Sequence, residues 1–258
     1  MISFKINVFS NVLNMNNDLW LLIPDSLKNE EKLKTLWLYH GGSGDENEWL
    51  FESTIANIPD DYNLAIILVN AEDSCFVDMA YGRKFTTYLG EELPEIMRKM
   101  FPHLSGQRSD NFIGGLSNGG YGAFVIGLTY PEKFAAIGAL SAGDKADASS
   151  YKKATGNEIT PRIRMFGAED IKDTRYSIRH LARQLSKSDA PKPRIFHSCG
   201  ALDPWLDLNL LVKETFEEPD SKVFDYTYDQ MNYLGHEWGF WDIKIRRFVK
   251  EYCCGGKQ

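Results

Sequence analysis

Asn111-Phe112-Ile113-Gly114-Gly115-Leu116-Ser117-Asn118-Gly119-Gly120-Tyr121-Gly122-Ala123 passes from a β-like run, Asn111 to Gly114, through a serine with a glycine two positions away on each side, and into a helix-like segment, Gly119 to Tyr130. A strand that turns directly into a helix is a unit of a parallel sheet covered by helices. Outward from this stretch the same alternation covers the chain. Candidate strands are Phe4 to Phe9, Leu19 to Ile23, Thr35 to Tyr39, Leu64 to Val69, Asn111 to Gly114, Ala135 to Leu140, Arg194 to Ser198 and Val223 to Tyr228. The clearest helices are Phe85 to Phe101, Gly119 to Tyr130, Tyr176 to Ser186, Leu206 to Phe216 and Trp238 to Tyr252. Several strands are unbroken apolar runs, as strands buried on both faces require. The first two precede any helix signal and are a short turn apart, so they form an antiparallel edge. In the last helix, Phe240, Trp241, Ile243, Ile245, Phe248 and Val249 crowd one broad face, with Lys244, Arg246, Arg247 and Lys250 mostly on the other. The fold class is α/β: about eight mostly parallel strands with helices on both faces.

The 258 residues are 43% hydrophobic and 25% charged, which describes a single globular domain and excludes a disordered or fibrous chain. The 36 acidic against 29 basic side chains leave a net charge of -7, which repels phosphate backbones, so nucleic acid is not an expected partner. No run approaches the roughly 18 apolar residues of a membrane span. The start, Met1-Ile2-Ser3-Phe4-Lys5-Ile6-Asn7, lacks the basic-then-apolar layout of a secretion signal, and a cytoplasmic location is expected. Cys75, Cys199, Cys253 and Cys254 have neither disulfide-framework nor zinc spacing and read as free thiols. Neither metal nor cofactor is expected, and a homo-oligomer is left open.

Gly115-Leu116-Ser117-Asn118-Gly119 is a G-x-S-x-G between a strand and a helix. That turn projects the serine oxygen clear of the sheet while the new helix's amides point at developing negative charge. A serine hydroxyl becomes nucleophilic when a histidine takes its proton, and the histidine needs a carboxylate to hold its tautomer. On such a sheet the order is Ser, Asp or Glu, then His, the last two on loops after late strands. His40 and His103 precede the serine, His180 sits in a helix, and His197 lies inside a strand. His236, in Leu234-Gly235-His236-Glu237-Trp238, alone follows the last strand. Asp203 directly follows a strand in Cys199-Gly200-Ala201-Leu202-Asp203-Pro204; Asp207, one turn further on, is its rival and reads as a helix-dipole partner. Leu38-Tyr39-His40-Gly41-Gly42-Ser43-Gly44 is a glycine-rich turn able to supply a second amide to an oxyanion, so Gly42 and Asn118 are the candidate donors and His40 holds the loop.

Trp49, Phe76 and Trp238 sit near strand or loop ends, where each would either wall a substrate pocket or pack in the core. Cys75 lies in the same region without a nearby base to activate it. The polar stretch from Gly143 to Asp173 has no clear periodicity and reads as a small lid or a surface excursion.

The stretch from Asn111 to Ala123 resembles the esterase D family of α/β-hydrolases, which includes S-formylglutathione hydrolases, and is most similar to its bacterial tributyrin esterase branch. The resemblance runs from Val12-Leu13-Asn14-Met15-Asn16 through Asp78-Met79-Ala80-Tyr81-Gly82 and Glu91-Glu92-Leu93-Pro94 to His236-Glu237-Trp238. It implies an α/β-hydrolase fold, the triad Ser117, Asp203 and His236, and no cofactor. Relatives usually carry methionine where this chain has Asn118, a departure that bears on acyl preference.

Residues and resemblance together lead to the expectation of a serine carboxylesterase acting on short-chain acyl esters through an acyl-enzyme, with a small-molecule ester as its ligand. The alternatives are an acetyl or feruloyl esterase on plant polysaccharide, a thioesterase of the S-formylglutathione hydrolase type, and a catalytically dead hydrolase fold kept as a binding module. A dinucleotide site is not expected, because Gly115 to Gly122 lacks G-x-G-x-x-G spacing.

Overall fold

The computed structural model describes residues 1–26, 32–146 and 160–255. In chain order its elements are β1 (Ile2–Ser10), β2 (Met15–Ile23), β3 (Lys34–Tyr39), α1 (Glu48–Glu52), α2 (Ile58–Tyr62) and β4 (Leu64–Val69). A helical run α3 follows, made of Phe85–Thr87, a π-turn Tyr88–Glu92 and Leu93–Met100. Then come β5 (Asn111–Leu116), α4 (Asn118–Thr129), β6 (Ala136–Leu140), α5 (Thr160–Phe166), α6 (Ile178–Ser186), β7 (Arg194–Gly200), α7 (Leu206–Glu217), β8 (Tyr226–Met231) and α8 (Trp238–Phe248), which continues as a π-turn, Val249–Cys253.

The eight strands form one sheet in the order β1-β2-β4-β3-β5-β6-β7-β8. β1 and β2 are the expected antiparallel edge, and every pairing from β4 to β8 is parallel. The order reverses around β3, since the chain moves outward to β4 and returns to β5 on the other side. That reversal opens a crevice beyond the carboxyl ends of β3 and β5.

The pleat sends alternate side chains to two cores. Trp37, Tyr39, Ile67 and Ile113 join Tyr121 and Phe124 of α4 on one face, while Leu36, Leu38, Phe112 and Leu116 meet Phe240, Ile245 and Phe248 of α8 on the other. Ten of the twelve α4 residues are buried, so this helix has no solvent face. Its glycines set the packing distance. A Cβ on Gly119 would fall on the carbonyl oxygens of Tyr39 and His40, and one on Gly115 would lie 2.6 Å from the Gly119 carbonyl.

Three sequence expectations shift. The last strand begins at Tyr226 rather than Val223, because Pro219–Val223 is a 3-10 turn and Phe224 packs edge-on against Phe216. As an edge strand, β8 continues through the polar Asp229 and Gln230, paired with Ser198 and Cys199. In α8, Ile243 is 48% exposed and Lys244 is buried, the reverse of the expected faces. Lys244 follows Phe240 and Trp241 on the inward stripe and reaches Asp229 at 2.5 Å. The helix expected over Phe85 to Phe101 forms but widens into a π-turn before Pro94. Proline has no N–H to give the carbonyl four residues back, and Lys133 Nζ donates to that Gly90 oxygen at 2.7 Å instead.

β7 carries a fully buried His197, whose Nε2–H donates to Asn209 Oδ1 and whose Nδ1 accepts from the Tyr226 hydroxyl, each at 2.9 Å. Burial lowers its pKa from 6.5 to about 4, so the folded ring stays neutral where the unfolded one takes up a proton. Unfolding is therefore favoured progressively as pH falls from 6.5 to about 4, by on the order of 3 kcal/mol from this group. Denaturant midpoints measured across that range should fall for the parent, with a clearly shallower slope in His197→Gln; equal slopes would contradict the assignment. Gly119→Ala should cost about 3 kcal/mol or more, since its methyl meets main chain rather than a movable side chain. A melting temperature within about 2 °C of the parent's would disprove the close approach.

Candidate active site

Ser117 closes β5 and opens α4 with φ 54° and ψ -116°, a conformation few L-residues hold. Hydrogen bonds from Ser117 N to Leu140 O at 2.8 Å and from Tyr121 N to Ser117 O at 3.0 Å pin it between β6 and the first helical turn. The side chain is pushed out at the crevice. There His236 Nε2 lies 3.1 Å from Ser117 Oγ, and His236 Nδ1 lies 2.9 Å from Asp203 Oδ2. A carboxylate can only accept, so Nδ1 carries the proton and Nε2 is left to accept from the serine.

Asp203 is nearly inaccessible. Burial alone would raise its carboxyl, yet hydrogen bonds from His236, Ser141 and the Trp205 N–H outweigh that and hold it below the ordinary aspartate value. The Trp205 amide donates to Oδ1 at 2.8 Å. Ser141, itself at φ 52° after β6, takes the Trp241 indole N–H at 3.0 Å and turns its own hydroxyl to the carboxylate. Trp241 also packs edge-on against the His236 ring, with centroids 4.9 Å apart. Behind them, Asn209 links the neutral His197 to the Trp205 carbonyl at 2.9 Å, anchoring the loop that carries Asp203. Asp207, the rival carboxylate, is exposed in the first turn of α7.

The early glycine turn lies across the cleft. Ala71 N donates to His40 Nε2 at 3.0 Å, so Nδ1 bears the proton and donates to Gly41 O at 2.7 Å. Burial lowers the His40 pKa, and the ring is a neutral brace with no lone pair left for the serine. Glu48 accepts from Gly41 N at 2.8 Å, and its carboxylate packs so closely on Gly44 that a Cβ there has no room. Burial raises the Glu48 pKa. Gly42 and Asn118 lie side by side, since a Cβ on Gly42 would sit 2.8 Å from Asn118 Nδ2. At the first position of α4, the Asn118 N–H has no intrahelical acceptor and is available to an anion.

Gly41, Gly42, Glu48, Ser117, Asn118 and His236 line one cleft of about 810 Å³. Of the three expected pocket aromatics, Trp238 lines it and the other two do not. Trp49 is buried behind Trp238, with rings edge to face at 5.1 Å, and its indole N–H holds Tyr39 O. Phe76 stacks on Tyr39 at 4.7 Å and fills the space over Gly122, which is core packing. Wall residues the sequence did not single out include Glu48, Asp73, Lys145, Met165, Trp205 and Trp241. Trp205 sits two residues after Asp203 and Trp241 one turn after Trp238, the only signals that could have found them. Cys75 lines the cleft, and burial pushes its thiol up, which disfavours a thiolate.

Residues 147–159 of the stretch expected as a lid or excursion lie outside the described residues. Its two ends meet the cleft through Lys145 and Met165. The first end is tied down by the buried Asp144, which accepts from Ser177 Oγ, from the Ile178 and Arg179 amides at the start of α6, and from Arg179 Nε.

A family model described as "Putative esterase" matches residues 10–251. An acetyl esterase from Caldicellulosiruptor saccharolyticus is 30% identical over 259 residues, covering 93% of this chain and 94% of that protein. Two solved structures from Staphylococcus aureus are similar over 98% of both chains at 27% identity. FphF, a fluorophosphonate-binding serine hydrolase with substrate bound, superposes with a TM-score of 0.86. The S-formylglutathione hydrolase FrmB, as apoenzyme, gives 0.84. Among the described residues no helix is long and apolar enough to cross a membrane. A match across nearly the whole sequence places the chain in the esterase family, as a carboxylic ester hydrolase built on the α/β-hydrolase fold.

Proposed function

We propose that Ser117, His236 and Asp203 are the catalytic triad of a serine carboxylesterase for short acyl esters. The observation that carries this reading is the unbroken hydrogen-bond series from Ser117 Oγ through both His236 nitrogens to Asp203. Ser117 Oγ attacks the ester carbonyl carbon as its proton passes to His236 Nε2, and the carbonyl oxygen becomes an oxyanion held by the Asn118 and Gly42 amides. The C–O bond to the alcohol then breaks, and His236 returns the proton to the departing oxygen. Water repeats the sequence on the acyl-serine, freeing the acid and restoring the hydroxyl. Asp203, kept ionised by its hydrogen bonds, steadies the imidazolium formed in each half.

The acetyl esterase relative supports a short acyl group. The similarity to FrmB supports a thioester as the second reading, since the same attack serves a thiol leaving group. An intact triad with a braced oxyanion loop supports turnover over a role as a binding module. Lys145 and Met165, at the two described ends of the stretch from Gly143 to Asp173, belong on this reading to the cleft wall of a single domain. A reducing compartment such as the cytoplasm is in keeping with four free cysteines.

With 4-nitrophenyl acetate as substrate, Ser117→Ala should lose on the order of 10⁴-fold or more in kcat while its far-UV spectrum is unchanged. Retention of more than about a tenth of the parent rate would remove Ser117 from the role. Asp203→Asn should cost roughly 10³- to 10⁴-fold, and Asp207→Asn should leave turnover within about twofold, with a helix-terminus effect of about 0.3 to 1 kcal/mol on stability. The reverse ranking would transfer the carboxylate role to Asp207.

A further inference from the structure

Beside the wide cleft lies a second, much smaller recess that opens on Ser117 and Asn118 and is walled by Ser141, Gly143, Lys145, Trp205 and Leu208. Its volume is about 20 Å³, room for roughly one water-sized group, which a methyl matches. His236 lines the cleft and not the recess. Resting on the triad reading above, we infer that the recess holds the acyl chain and the cleft the alcohol, and that Leu208 with Trp205 limits the acyl group to formyl or acetyl.

The assignment follows from the four substituents of the tetrahedral carbon. One is Ser117 Oγ, and the oxyanion points to the Asn118 and Gly42 amides. The departing oxygen must reach His236 Nε2 to collect its proton, so the alcohol extends into the cleft that His236 lines. The acyl carbon is left with the remaining direction, into the recess. Its end wall is rigid. Leu208 is 4% exposed in the first turns of α7, and a Cβ on Gly143 would lie 2.5 Å from Leu208 Cβ, so nothing more than hydrogen separates them there. Trp205 is held by its amide on Asp203 and its carbonyl on Asn209. A butyryl chain exceeds the recess unless one of these, or the Lys145 side chain beside them, is displaced. By contrast the cleft, about 810 Å³, presents carboxylates and indoles to whatever alcohol the ester carries. The substrate class is therefore a small acyl group on a bulky, polar alcohol.

The test compares kcat/KM for 4-nitrophenyl acetate, butyrate and hexanoate in the parent, Leu208→Ala and Leu208→Val, with Trp238→Ala as a cleft variant. The parent should prefer acetate over butyrate by tenfold or more. Leu208→Ala should shift that ratio toward butyrate by tenfold or more, at about fourfold for each methylene newly accommodated, and Leu208→Val should fall between. Trp238→Ala should leave the acyl ratio in place and change the ratio of 4-nitrophenyl to 2-naphthyl acetate. If Leu208→Ala does not fold, Leu208→Val carries the readout. An acyl ratio unmoved by both Leu208 variants while acetate is still turned over would overturn the inference, as would a ratio moved only by Trp238→Ala. Failure of the triad reading shows differently, as absence of Ser117-dependent turnover in the parent, and takes this inference with it.

Discussion

The close approach of α4 to the end of β3 is the constraint on which the rest depends. Gly119 lies against the Tyr39 and His40 carbonyls, and Gly115 lies against Gly119. Only hydrogen fits at both positions, and with hydrogen there the chain turns from strand to helix within one residue. That turn forces Ser117 to a positive φ and out of the sheet. It also brings the helix start beside the glycine loop that leaves β3, so Ser117 and the proposed amide donors Asn118 and Gly42 meet at the sheet's reversal point. The strain at Ser117 is offset by what surrounds it, since α4 is buried nearly all round and anchored in an apolar core.

The histidines and the aspartate carried into this interior are paired, and their pairing sets their charge. His40 and His197 each accept a hydrogen bond at one ring nitrogen and donate at the other, which suits the neutral form and agrees with pKa values lowered by burial. Asp203 is treated in the opposite way. Its surroundings donate to it and keep it ionised in spite of its burial. Three of the histidines, equally imidazole, thus take three places: His40 as brace, His197 as core element and His236 as the proposed proton carrier. The difference lies in the partner at each nitrogen. Trp49, Trp238 and Trp241 stand edge to face in succession and end on the His236 ring, so the α8 face that fills one core also orients the site.

Much of this was legible in the chain. Alternating β-like and helix-like runs gave eight strands and the antiparallel edge, because apolar periodicity is a local property. The elbow, His236 and Asp203 were legible because a G-x-S-x-G between strand and helix is a local pattern and the α/β-hydrolase fold carries its acid and histidine after it, on loops behind late strands. Phe76 and Trp49 were not, since a large aromatic near a strand end is written the same way whether it faces a pocket or a core. Lys244 was misplaced for a related reason. A lysine on an inward stripe reads as an error in the helical phase until Asp229 of the neighbouring strand is known to receive it. The start of β8 was displaced because Val223 and Phe224 carry strand propensity, yet Phe224 packs on Phe216 and turns the backbone first.

The sequence by itself determined the fold class, the turn at Ser117 and the identity of the three residues that lie in hydrogen-bond series. Each depends on residue type at short spacing or on chain order. The tertiary structure alone decided what surrounds them: Ser141 on Asp203, Trp241 on Ser141 and the His236 ring, Glu48 under the glycine loop, Lys145 and Met165 on the cleft wall, and Leu208 at the end of the recess. These contacts join residues far apart in the chain, through side chains whose direction depends on how several elements pack at once. No local pattern encodes such a distance, so the size of a pocket becomes visible only when its walls are in place.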